Sequence, residues 1–512
     1  MVIVAAFAAF YFTVFSGLQG FVKAIIAIAV LAACSLLLQR LLRLEGEMGL
    51  LLFKTRKGLG FLDWVARRVP GLWNFLADFG IVIGFGLFSL FIFKRRIPKM
   101  TVVAGMIFLL IFWLMIFPLI APLSLQLINL SGLEKDLPVA VQQTIDPADP
   151  AASLRLYLEA FISLVPTMLV LAGGLAFLLG YLVVYNAVQI VFLIAISLYS
   201  MATGTVGSDS FSKALPGVSP ILPGINIQLA EGVIALAIIL IVHEGAHAVV
   251  ARVAKIPLKS AGIVMFGFLP FGAFVDPDED KLKKMDDETQ NRVIVAGSAS
   301  NLYTATLFFF VFLAFNFLVL SIYPTTLIGT HYVLVDAVAE NGTAYGVITP
   351  GMVLTKWNGV NVTTLAGLQA ALNLTNNESP ITISTANATF TPSRGNRSQA
   401  TKLLATAYGD YVEPVTGIQV TEKMYGFGEY VRNLAVSTPY LGFLYNFLGL
   451  VFVLNILVGM VNLLPIPPFD GYRILQTTLG EKALYRSLTI LKAVVALIVV
   501  SFILNAVPWL WR

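Results

Sequence analysis

Ten predominantly apolar runs, most of them long enough to cross a bilayer, dictate what this chain can become: 2–19, 21–40, 73–93, 101–122, 161–183, 185–203, 229–252, 293–322, 439–463 and 486–509. Backbone in hydrocarbon must satisfy its own N–H and C=O groups, so runs of this length form helices. Of the 512 residues, 58% are hydrophobic and only 12% charged, with a mean hydropathy of +0.86, far more apolar surface than a soluble domain uses. The expectation is a polytopic α-helical membrane protein of about 8–10 spans. The first run has neither a basic flank nor a small-residue cleavage site, and is read as a retained segment rather than a signal peptide.

The net charge of +5 comes from short clusters such as KRRIPK (94–99), which flank spans in membrane proteins, so no nucleic-acid partner is expected. A single cysteine, Cys34, excludes an intrachain disulfide and is read as a small packed hydrophobe.

Four regions follow from the change of composition along the chain. Residues 1–227 form an N-terminal membrane region of uncertain role, and 228–323 hold a histidine-bearing span, a polar loop with strand-like patches and another span. Residues 324–438 turn to Asn, Thr, Gly and Ser with alternating β-branched residues, which predicts a mostly β insert, and 439–512 close the chain with two spans. The loop 253–292 carries Lys255, Lys259, Lys281, Lys283, Lys284 and Arg292, which suggests the cytoplasmic face. The insert carries Asn-x-Ser/Thr sequons at Asn341, Asn361, Asn373, Asn377, Asn387 and Asn396, which suggest the extracytoplasmic face, and a seventh at Asn129 places 123–156 there as well. Loops 41–72 and 94–100 are both basic although one span separates them. Either 73–93 does not cross, or LDWVARRVPGLW (62–73) lies in the interface as an amphipathic segment. Asp78, near one end of that span, is read as an interfacial residue.

The chemistry sits in LIVHEGAHAVV (240–250). On a helix, His243 and His247 are four residues apart and share a face, with Glu244 projecting beside them. This is the H-E-x-x-H arrangement, in which two imidazoles bind zinc and the carboxylate is the general base for water. His243 precedes Arg252 by nine residues, roughly 14 Å of helix, so the group lies deep in the apolar layer, where ionisable side chains are costly. A pair of structural histidines bonding across the bundle is the competing reading. Only three histidines exist in the chain, and two fall at this spacing around a glutamate, which favours the metal. The third, His331, is read as a surface residue of the insert. A catalytic zinc wants a third protein ligand. In VNLLPIPPFDGYRIL (461–475) three prolines break the end of an apolar span and offer Asp470 to a cavity, so Asp470 is the candidate, although such a stretch is also a common turn.

The two motifs together, H-E-x-x-H and then Asn462-x-x-Pro465-x-x-x-x-Asp470-Gly471, resemble the site-2 protease family of intramembrane zinc metalloproteases. The resemblance covers about 228–512. It implies one zinc ion per chain on His243, His247 and Asp470, water activation by Glu244, an active site nearer the cytosol, and transmembrane proteins as substrates in the lipid bilayer. GFLPFGAFVDPDED (267–280) is similar to the family's strand-forming re-entrant loop. AGSASN (296–301) is similar to its Ala-Gly-Pro-x-x-Asn, which makes Asn301 and Asn462 candidate contacts for substrate backbone; Ser298 stands where proline is usual. Residues 339–372 resemble a PDZ domain, which implies capture of a peptide tail by the insert, with a generic β-rich insert as the alternative. Residues 222–244 are similar to the approach to the core in archaeal members.

Two other classes remain open on the residues alone. A metal-ion or proton-coupled transporter also places His, Glu and Asp in the membrane, but needs no general base, and no inverted repeat is visible. An inactive scaffold bearing a PDZ-like module has no reason to keep all four of His243, Glu244, His247 and Asp470.

Overall fold

A computed structural model describes the chain except residues 19, 43–45, 48–49, 94–96, 131–149, 204–220, 226, 340–341, 375–381, 386–388, 391–403, 406–410, 414–415 and 508–512. Part of the KRRIPK cluster and the sequons at Asn341, Asn377, Asn387 and Asn396 lie outside the described residues, as does the side chain of Asn129. Of the remaining sequon residues, Asn361 and Asn373 are both exposed.

Helices α1 (Val2–Val14) and α2 (Gly20–Leu42) are followed by strands β1 (Gly46–Glu47) and β2 (Leu50–Thr55). Next come α3 (Leu59–Arg68), α4 (Pro70–Phe85), α5 (Ser89–Ile92), α6 (Lys99–Leu130) and α7 (Pro150–Thr203). The histidine-bearing helix is α8 (Leu229–Val253), followed by the hairpin β3 (Leu258–Phe266) and β4 (Leu269–Pro277), then α9 (Glu279–Leu282) and α10 (Asp287–Ile322). The insert holds β5 (His331–Val338), β6 (Val353–Trp357), β7 (Val360–Asn361), α11 (Leu365–Asn373), β8 (Ile383–Thr385), β9 (Thr389–Phe390), β10 (Leu404–Ala405), β11 (Tyr411–Glu413) and β12 (Ile418–Met424). Helices α12 (Phe427–Leu434), α13 (Pro439–Asn462) and α14 (Asp470–Ala506) end the described chain.

Among the described residues, six helices are long and apolar enough to cross a membrane: Val22–Leu42, Pro70–Ile92, Leu164–Val191, Leu229–Val253, Asp287–Ile322 and Pro439–Asn462. Val2–Val14, Lys99–Leu114 and Lys492–Ala506 are shorter apolar helices. This is a polytopic helical membrane protein. The two spans expected at 161–183 and 185–203 are one helix interrupted at Gly174, which adopts φ +64°. Length alone divides such a run near its middle. The backbone yields instead at the glycine, which tolerates positive φ.

The chain forms two compact units, one of residues 1–120, 163–315 and 443–512, the other of 121–162 and 316–442. In the first, α4, α7, α10, α13 and α14 contribute to one apolar core around Ile81, Val82, Val170, Leu178, Val295 and Leu463. Residues 1–227 are not a body of their own. Strand β2 pairs antiparallel with β3 from Leu50 opposite Phe266 to Thr55 opposite Ala261, giving a sheet ordered β1-β2-β3-β4. The tip of the β3–β4 hairpin is docked on α1 and α2: the Gly267 amide donates to the buried Ser35 Oγ at 2.6 Å, and Phe268 packs edge-on against Phe10. The segment 267–280 holds this tip, β4 and the start of α9.

Asp78, expected near one end of its span, is buried within the protein at 6% exposure in a two-pronged ion pair with Arg292 of α10, at 2.6 and 2.9 Å. A lone carboxylate would have sought water; the partner 214 positions away, invisible from local sequence, lets it stay inside. The amphipathic segment 62–73 is the end of α3 and the start of α4, and Asp63 of α3 pairs with Arg252 at the end of α8.

The second unit is a sheet ordered β10-β11-β12-β5-β6-β8-β9, with β7 on β6. Strand alternation buries Val333 and Val335 of β5, a register shift in the β6–β8 pairing lets both Leu354 and Trp357 of β6 join them, and α11 adds Leu368 to that core. Thr364 caps α11 by accepting from the Gly367 amide at 3.0 Å. His331 is exposed and pairs with Glu422 on β12.

Candidate metal centre

Two elements from distant parts of the chain meet at one point. Helix α8 presents His243 and His247, and Asp470 stands at the first turn of α14, just past the proline-rich turn that ends α13. A Cβ at Gly471 would run into the Leu463 carbonyl, so the Asp-Gly pair is what lets α14 begin this close to the end of α13. The Nε2 atoms of His243 and His247 are 3.2 Å apart, and they lie 3.6 and 3.5 Å from Asp470 Oδ2. Among the described residues this is the group of His, Cys, Asp and Glu side chains able to hold a metal ion.

The surrounding contacts come from α10. His247 Nδ1 lies 2.7 Å from the Val293 carbonyl, which can only accept, so Nδ1 carries the proton and the Nε2 lone pair faces inward. His243 Nδ1 lies 3.0 Å from the Asn301 side-chain amide. As oriented, that amide leaves its buried Oδ1 without a partner. Turning the amide over places Oδ1 on His243 Nδ1–H, gives that oxygen a partner and points a second lone pair at the same spot. Two imidazole lone pairs and a carboxylate then converge with no proton between them. Such a set demands a cation, and the separations match those of ligands on tetrahedral zinc, about 3.3–3.4 Å for bonds of about 2.0–2.1 Å. Gly297 completes the fit. A Cβ there would press on His247 Nε2 and fall 2.7 Å from His243 Nε2, so the space beside the imidazoles exists only because this position has no side chain.

Glu244, one residue beyond His243, turns to the hairpin, where its Oε2 accepts from the Val275 amide of β4 at 3.2 Å. That amide is on the outer edge of β4, where no described strand pairs.

Asn301, expected from the resemblance to touch substrate, is wholly buried and has His243 as its partner. Asn462, half-buried at the end of α13, makes no side-chain hydrogen bond to any described residue. Sequence reading left Val293, Gly297 and the Val275 amide unmarked. The first two sit eight and four positions before Asn301, on the same helix face, which is the signal that could have found them. The amide of Val275 carries no such signal, since a backbone group is independent of residue type.

Residues 231–505 match the family model described as Peptidase family M50. The chain belongs to peptidase family M50. The match covers α8 to α14 and both candidate motifs, and starts after the helix that carries Asp78. M50 is the site-2 protease family, whose members are zinc-dependent metalloproteases of membranes, and the apolar helices and the ligand group of this chain are in keeping with that family. The chain is also similar to an uncharacterized protein of Methanocaldococcus jannaschii, 32% identical over 102 residues, which is 20% of this chain and 26% of that protein. It thus spans about a quarter of the length of the curated relative it matches.

Proposed function

We propose that this M50 peptidase is an intramembrane zinc endopeptidase that hydrolyses a peptide bond within or near a transmembrane helix of a membrane-protein substrate. The convergence of His243 Nε2, His247 Nε2 and Asp470 beside Glu244 carries the reading. Zinc held by His243, His247 and Asp470 would supply Lewis acidity, polarising the scissile carbonyl and acidifying water. Glu244 takes the proton from the attacking water and returns it to the leaving amine nitrogen, so the C–N bond breaks as a carboxyl and an amine form. Asn301 sets the tautomer of His243. Asn462, with its side chain unengaged, is the better candidate for hydrogen bonding substrate backbone.

A helical substrate must unwind before its carbonyls can be attacked, and the backbone groups it frees need partners. The outer edge of β4 offers them by strand addition, next to Glu244. The Lys-rich loop and the sequons support an active site toward the cytoplasm and the insert outside. The insert, read as PDZ-like, acts as a filter that binds a substrate tail or excludes bulky domains. Deleting 332–425 is expected to broaden the set of membrane proteins cleaved, measured by comparing cleavage of substrates with short and with folded extracytoplasmic domains. Equal selectivity in the deletion counts against the filter.

The test of the function itself is zinc per chain in purified protein. Wild type is expected to hold about one zinc ion, as a three-ligand catalytic site does, and Asp470→Ala to lose it under mild chelation. Well-folded wild type without zinc would return the transporter and scaffold readings to the front.

A further inference from the structure

We infer that Ser298 is a positioning residue for Asp470: its hydroxyl fixes the carboxylate that completes the zinc site. The inference rests on the metalloprotease reading of His243, His247 and Asp470. Ser298 is wholly buried on α10, and its Oγ donates to Asp470 Oδ2 at 3.1 Å. Hydroxyls inside a helix ordinarily bond back to a carbonyl three or four residues earlier. Thr306 of α10 does so to Leu302 and Ser321 to Phe317, while Ser300 shares its hydroxyl between the Gly297 carbonyl and the Val242 carbonyl of α8. The Ser298 hydroxyl is spent instead on a residue of another helix, 172 positions away.

Among the described residues, the side chains that reach the Asp470 carboxylate are this hydroxyl and the two imidazoles. An imidazole whose Nε2 lone pair faces a metal ion no longer donates. With zinc in place, Ser298 is therefore the remaining side-chain donor to the carboxylate. A carboxylate turns easily about its terminal bond. One fixed hydrogen bond selects the plane in which its ligating oxygen faces the two imidazoles. Partners of metal ligands typically change metal affinity by about 10–100-fold when removed. The motif that AGSASN resembles has proline here, which has no hydroxyl, so this bond is a property of this chain.

The test is zinc affinity of the full-length protein in detergent, by competition with a chromophoric chelator, together with the visible spectrum of the cobalt-substituted protein. Ser298→Ala is expected to weaken zinc binding about tenfold or more and to alter the cobalt band, while Ser298→Thr, which keeps the hydroxyl, restores both. Wild-type affinity and an unchanged cobalt band in Ser298→Ala overturn the proposal and leave the zinc reading intact. Absence of zinc from wild type overturns both. If Ser298→Ala does not fold, Ser298→Cys replaces it, a near-isostere with a weak donor. Looser zinc binding in that variant supports the positioning role; wild-type affinity, or a cobalt–thiolate charge-transfer band, overturns it.

Discussion

Glu244→Gln is expected to keep the zinc content of wild type and to slow peptide-bond hydrolysis by about 10²–10⁴-fold, the range for loss of a general base. The glutamine is close to isosteric, and its side-chain oxygen can still accept from the Val275 amide, so the contact that places residue 244 against β4 survives. The three candidate ligand atoms come from other residues and are untouched. What disappears is the carboxylate that accepts the proton of water. Cleavage of a transmembrane substrate in detergent or vesicles, with zinc counted on the same sample, separates the two effects. Cleavage at the wild-type rate would remove Glu244 from the chemistry. A variant that lost zinc as well would show Glu244 to be part of the metal site rather than a base beside it.

Asp78→Leu should cost about 3 kcal/mol of stability, the low end for breaking a buried ion pair, because Arg292 would be left in a spanning helix without its counter-charge. The low end is chosen because Arg292 keeps a quarter of its side chain exposed, at 25% against 9% for Asp78. The effect should reach the metal centre. Arg292 immediately precedes Val293, whose carbonyl orients His247. Tyr303, on the same helix, donates to the Leu76 carbonyl at 2.5 Å and fastens α4 to α10 a second time. Replacing both partners, Asp78→Leu with Arg292→Met, should recover most of the loss, since an apolar pair of similar volume does not strand a charge. Thermal unfolding in detergent of the single and double variants decides it. A double variant as unstable as the single one would mean that the carboxylate contributes through something other than Arg292.

This ion pair also gives the N-terminal region a physical role that composition left undefined. Strand β2 and helix α4 are outside the part of the chain that matches the M50 model, yet one pairs with β3 and the other braces the helix behind the imidazoles.

Local periodicity carried much of what could be known in advance. Apolar runs of about 20 residues commit a chain to spanning helices, because backbone in lipid has no other way to satisfy its hydrogen bonds. The 3.6-residue repeat puts His243 and His247 on one face with no help from the rest of the protein, and alternation of β-branched residues marks 324–438 as mostly β. Asp470 could be nominated as the third ligand only weakly from its own surroundings, and the paired motifs supplied the rest.

Contacts between helices decided the remainder. Nothing near Asp78 announces Arg292, nothing near Ser298 announces Asp470, and nothing near Asn301 announces His243. The physical reason is the same in each case. A side chain's partner along its own helix is set by spacing, but its partner on another helix is set by how the two pack, and that is a property of the whole fold.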